Sequence, residues 1–121
     1  MDNSAAYIAS WLGRLREDAK LVVQAAGAAQ KAADNIVATT ALDQSMLWPQ
    51  GSDNGANSNS RALPAIWADG SDIGDKGMAF GAAAQAMQAA AGTGLEGLQA
   101  AMGPLGEACV ACHKGFRAPA N

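Results

Sequence analysis

Both cysteines of the chain and its only histidine fall in one run, Cys109-Val110-Ala111-Cys112-His113. Two thiols three positions apart, followed at once by an imidazole, suit four kinds of chemistry. They can close a disulfide, join a zinc site, form a redox pair, or add to the two vinyl groups of a haem while the imidazole ligates its iron. On an α-helix, at about 100° per residue, Cys112 lies about 60° to one side of Cys109 and His113 about 40° to the other. All three then point into one arc. A disulfide between helical cysteines at this spacing needs local unwinding. Zinc takes four ligands, so it would need a carboxylate or a second chain. A thioredoxin-type pair belongs at a helix N-terminus in a strand–helix–strand context. Haem attachment uses all three groups as they stand, and it is the reading the run supports best.

The elements that must position this run are helices. Leu95, Leu98, Met102, Leu105, Cys109, Cys112 and Phe116 step alternately by three and four residues, the seam of a packed helix. The spacing predicts a helix D from Leu95 onward with its thiols and imidazole turned inward. Pro104 lacks an amide donor and should kink helix D or split off its first two turns. Ile8, Leu12, Leu15, Ala19 and Val22 mark an amphipathic helix A from Ser4 to Ala25. Gly27 is the one breaker before helix B, Ala28 to Met46, which predicts a short link and an antiparallel pair. The stretch from Pro49 to Ser60 is dense in turn formers and reads as a surface loop. Pro64 suits the first position of a helical turn carrying Ile66 and Trp67. Helix C, Asp72 to Ala91, sets Ile73, Phe80 and Met87 seven apart, beside Gly77, Ala84 and Ala91. Four helices with one longer crossing from B to C describe an all-α, antiparallel four-helix bundle, with the haem-bearing run on its C-terminal helix.

Composition narrows the rest. The chain has 121 residues, one domain's worth spanning 1–121, and half are hydrophobic. Of these, 30 are alanine and only 28, cysteine aside, carry larger apolar side chains. Alanine favours helix and all but excludes an all-β domain. It also makes a thin core, with room for an apolar group that the sequence does not encode. A net charge of −3 argues against nucleic acid, which calls for a basic face. No apolar run approaches the ~20 residues of a membrane span. Met1-Asp2-Asn3-Ser4 shows no basic segment leading into an apolar one, so no secretory signal is visible in this chain.

Residues 109–117, Cys-Val-Ala-Cys-His-Lys-Gly-Phe-Arg, resemble the C-x-x-C-H-x-x-F/Y-R ending of class II c-type cytochromes, the cytochrome c prime family. Residues 61–69, Arg-Ala-Leu-Pro-Ala-Ile-Trp-Ala-Asp, are similar to that family's R-x-K-P-E-I-W-S-D segment, and Pro49-Gln50-Gly51-Ser52 to its P-x-G-T/S turn. Leu63 and Ala65 depart from the family's Lys and Glu. The resemblance implies a left-handed antiparallel four-helix bundle with one covalent haem c per chain near one end. It implies Cys109 and Cys112 as the thioether attachments and His113 as the proximal iron ligand. Arg117 matches a family arginine on the proximal side, although a cation there also suits a helix C-terminus. Arg61 is expected either near a haem propionate or as a solvated loop cation.

The other axial position separates the functions. His113 is the sole histidine, which excludes a second histidine ligand within one chain. The family covers the open face from early in helix A, which points to Tyr7, Ile8 and Trp11, side chains that ordinary bundle packing also suits. An apolar cover leaves the iron five-coordinate, open to small neutral gases such as NO or CO, with electron transfer as a further role. A methionine as the sixth ligand, Met1 if the connection is longer or another methionine, would give a low-spin six-coordinate electron-transfer cytochrome instead. A haem-free helical interaction protein is the third reading. Met46, Met78, Met87 and Met102 are expected to fill the core. No nucleophile, base and oxyanion set is visible, so no enzymatic activity is expected. The resemblance further implies redox partner proteins, a homodimer through helices A and B, and a periplasmic location, because bacteria attach haem c outside the cytoplasm.

Overall fold

The computed structural model describes residues 4–120. Three long helices carry the fold: α1 (Ser4–Thr40), α2 (Ile73–Ala91) and α3 (Leu95–Phe116), with a short 3-10 turn at Pro64–Trp67. Among the described residues, extended pairing is confined to an isolated antiparallel bridge between Ala62 and Arg117.

The expected helices A and B are therefore one helix. Glycine inside a helix costs about 1 kcal/mol relative to alanine, and Gly27 sits among Ala25, Ala26, Ala28 and Ala29, the strongest helix formers. Their propensity carries α1 through. It stops at Thr40, short of the expected Met46. There the Thr39 hydroxyl donates to the Asn35 carbonyl at 2.8 Å and the Thr40 hydroxyl to that of Val37 at 2.7 Å. The Asp43 carboxylate then accepts the Ser45 amide at 3.0 Å. Local bonds of this kind compete with the helical ladder.

α2 begins and ends where the sevenfold spacing predicts. The turn into α3 is set by Gly94, whose φ of +126° is closed to residues with a Cβ. α3 runs unbroken through Pro104. The donor that proline lacks would have served the Ala100 carbonyl, at an exposed position open to solvent.

The core is small. Ala33, Ala84, Met87, Ala91 and Leu105 are buried, and Ile36, Val37, Phe80 and Leu98 pack against them. α2 holds the centre, packing on α1 on one side and α3 on the other. A polar clasp reinforces the first contact. Gln30 Nε2 donates to the Asp34 carboxylate and to the Gln88 carbonyl, both at 2.9 Å, while Gln88 Nε2 reaches Asp34 at 3.0 Å. These two donors, Gln30 first, lower the Asp34 carboxyl below its ordinary value. Of the methionines expected in the core, only Met87 lies there. Met46, Met78 and Met102 are exposed.

Candidate functional site

The last two turns of α3 present Cys109, Cys112 and His113. Both cysteines are free thiols and half-buried, so the disulfide alternative is not realised. His113 is exposed, not inward-facing. The reason is the packing of α3, which meets α2 and the 3-10 turn but finds no helix over its remaining side.

The end of α3 is strapped to the segment before the 3-10 turn. The Leu63 amide donates to the Phe116 carbonyl at 3.0 Å, and the Ala118 amide to that of Arg61 at 2.7 Å. Arg61 Nε donates to the Ala118 carbonyl at 2.9 Å. Arg61 is thus neither a free loop cation nor remote from the site, since its side chain pins the chain just beyond the His113 turn. Phe116 is buried beneath this strap.

The strap delivers the 3-10 turn to the cysteines. Ile66 is buried there, and the Trp67 indole donates to the Trp48 carbonyl at 3.0 Å, folding the 41–48 segment back across the gap. Two adjoining cavities result. One, of about 400 Å³, is lined by Trp48, Ile66, Trp67, Ile73, Gly74, Gly77 and Cys112 among others. The second, of about 210 Å³, adds Arg61, His113, Phe116 and Arg117. Trp48, Ile66, Ile73 and Cys112 form their common wall.

Four predicted site residues, Arg61, Cys112, His113 and Arg117, therefore meet at one cavity. Tyr7, Ile8 and Trp11 do not line either one. They lie exposed on the N-terminal part of α1. Met1 lies outside the described residues. Trp48 went unpredicted, and the signal for it was an isolated tryptophan directly before Pro49 at the start of a polar loop.

Around the rim the charge is basic. Arg61, Lys114 and Arg117 line a shallow depression with His113, and no carboxylate is among its lining residues. On a chain of net charge −3, this patch favours anionic groups.

The donor set fits haem better than its rivals. Among the described residues no group of three His, Cys, Asp or Glu side chains is placed to hold a metal ion. What remains is a pair of free thiols, an accessible imidazole and an apolar recess walled by two tryptophans and two isoleucines. A flat apolar macrocycle needs such a recess, and Arg61 and Arg117 at the rim would hold its carboxylates.

The cytochrome c′ family model matches residues 7–117. The chain belongs to the cytochrome c′ family. It is 42% identical over 105 residues to a cytochrome c-554 of Cereibacter sphaeroides, covering 87% of this chain and 67% of the relative. It is 39% identical over 92 residues to a cytochrome c′ of the same species, covering 76% and 62%. The solved cytochrome c′ from Rhodobacter Spheriodes superposes with a TM-score of 0.75 at 32% identity, covering 99% of this chain and 100% of that one. The nitric oxide complex of a mutant cytochrome c prime from Alcaligenes xylosoxidans superposes with a TM-score of 0.61 at 27% identity, covering 97% and 90%.

The cytochrome c′ assignment carries covalent haem c with it, and Cys109 and Cys112 are the two thiols present to hold it. It also accounts for the all-α bundle class, with the segments expected as helices A and B running in line as α1.

Proposed function

We propose that His113 holds the haem iron on one face while the opposite axial position stays open to a small neutral gas, NO or CO, and that the same haem exchanges electrons with partner proteins. The observation that supports this reading is the make-up of the cavity beside Cys112. Its walls are mostly apolar, from Trp48, Ile66, Trp67 and Ile73, with Gln44 and Ser45 at one side, and Met46, Met78, Met87 and Met102 all lie elsewhere. None of them stands where a sixth ligand would have to be. A related cytochrome c prime is known as its nitric oxide complex.

Haem supplies the redox-active, ligand-binding iron. The chain supplies position and selectivity. Cys109 and Cys112 fix the ring on α3, and His113 offers an imidazole nitrogen to the metal. Trp48, Ile66 and Ile73 keep water from the ring face that they cover. Arg61 and Arg117, held at the end of α3, neutralise propionates and bias the proximal side. The role is binding and electron carriage without catalysis, in the periplasm, as a homodimer whose contact is carried by α1.

Titration of the reduced holoprotein with CO and with NO, followed in the Soret band, tests the reading. Saturable shifts at one ligand per haem are expected. A spectrum unmoved by either gas contradicts it.

A further inference from the structure

The N-terminal part of α1 is a helix without a partner. Every residue from 4 to 25 is exposed, including Tyr7, Ile8, Trp11, Leu12 and Leu15. Helices in proteins draw most of their stability from packing an amphipathic face, and a contiguous apolar face of this size marks an interaction surface.

The seam identifies what covers it. Ile8, Leu12, Leu15, Ala19 and Val22 step by four and three, and the same alternation continues without a slip through Ala26 to Ala29, Ala33 and Ile36. The last three are the positions by which α1 packs into the core. One stripe is therefore shared by both halves of α1, buried in one and bare in the other. A stripe in constant register asks for the same kind of surface along its whole length, a helix pair of this fold.

Length matches as well. From Gly27 back to Ile8 the helix rises ~28 Å, and the 19 residues of α2 span the same ~28 Å. Gln30 marks the level of Gly92, at the far end of α2 from Cys112, because a Cβ on Gly92 would meet Gln30 Oε1 at 2.6 Å. An arm laid along α2 and α3 from that level brings Tyr7, Ile8 and Trp11 to the Cys112 end. Its own chain cannot receive it while α1 is straight. Nothing lies within 4 Å of a Cβ at Gly27 to hold a turn there. A second copy can receive it, with the contacts a folded-back arm would make, and two copies do so reciprocally.

We propose that two copies of this chain exchange the N-terminal halves of α1, so that Tyr7, Ile8 and Trp11 of one copy close the haem site of the other. Two aromatics of ~150–250 Å² each, with the aliphatic seam beside them, supply much of the ~800 Å² per partner that a stable interface buries. The open side of α3, which leaves His113 exposed, is the surface they complete. This rests on the reading of α1 as the dimer contact and goes beyond it by placing part of each site in the partner.

The test is the intrachain distance in the holoprotein, together with its solution mass. Ser10→Cys and Asn35→Cys place spin labels on the outer face of α1, the native cysteines being consumed by haem. Co-expression with an excess of the chain lacking both substitutions isolates intrachain pairs. Exchange predicts a dimer with a distance near ~38 Å, that of a continuous helix. A dimer with ~17 Å, that of a hairpin at Gly27, overturns exchange and keeps the homodimer. A monomer overturns both. Neither outcome depends on gas binding, which the Soret titration reads separately.

Discussion

The two halves of α1 share one helix, one seam and one alanine-rich composition, yet Ala33 in the second half is 2% exposed and Val22 in the first is 67% exposed. The difference is not intrinsic helicity, since both halves are equally helical. It is what stands opposite. Residues 29–37 face α2 and close the core, whereas residues 4–25 are exposed throughout. A hydrophobic seam therefore specifies that a helix will be covered, and leaves open by which chain. The same lesson holds on α3, where Leu105 is buried against the core and Cys112, two turns on, lines an apolar recess, with Cys109 half-buried between them.

The largest break in this contrast comes from the cofactor. Replacing both thiols, Cys109→Ala with Cys112→Ala, should abolish covalent haem and remove the filler of the buried half. The cost is about 2–4 kcal/mol, or roughly 10–20 °C in Tm, with haem read by mass spectrometry and unfolding by circular dichroism. An unchanged Tm would contradict the idea that the cofactor is part of the core. Next in size is overpacking. Ala33→Leu inserts three carbons where no space exists and should cost about 1–3 kcal/mol. Val23→Ala, at a position 71% exposed and off the seam, should stay within about 0.5 kcal/mol. Equal effects on Tm from the two would erase the distinction between the halves. Gly94→Ala puts a Cβ on a residue at φ +126° and should cost about 1–3 kcal/mol by denaturant unfolding, through strain in the α2–α3 turn.

The smallest effect is on pH. Asp34 joins α1 to α2 through Gln30 and Gln88, and these bonds lower its carboxyl below the ordinary 3.8. A depressed folded value means that the clasp contributes fully above that ordinary value and is lost as pH falls through the lower one. Tm should therefore decline below about pH 4. Asp34→Asn should flatten that part of the decline while leaving the profile above it unchanged.

Much of this was legible in the chain itself. The Cys109–His113 run, the α3 seam and the limits of α2 are local patterns, written in spacings of three, four and seven and closed by Gly92-Thr93-Gly94. What was not legible depended on small or distant terms. Gly27 reads as a break, yet its penalty is about 1 kcal/mol and four neighbouring alanines outweigh it. Thr39 and Thr40 end the helix through hydroxyl bonds that periodicity does not register. Trp48 reaches the site through a bond from Trp67, nineteen residues along. Arg61 is oriented by a carbonyl beyond the opposite end of α3. The alanine excess pointed to missing volume, and only the fold shows that volume beside Cys112.

The central claim is a haem held by Cys109, Cys112 and His113 with one axial position free, and the optical spectrum of the oxidised holoprotein tests it most directly. The account predicts high-spin, five-coordinate features. A methionine-to-iron charge-transfer band at the red edge, with low-spin features throughout, would contradict it.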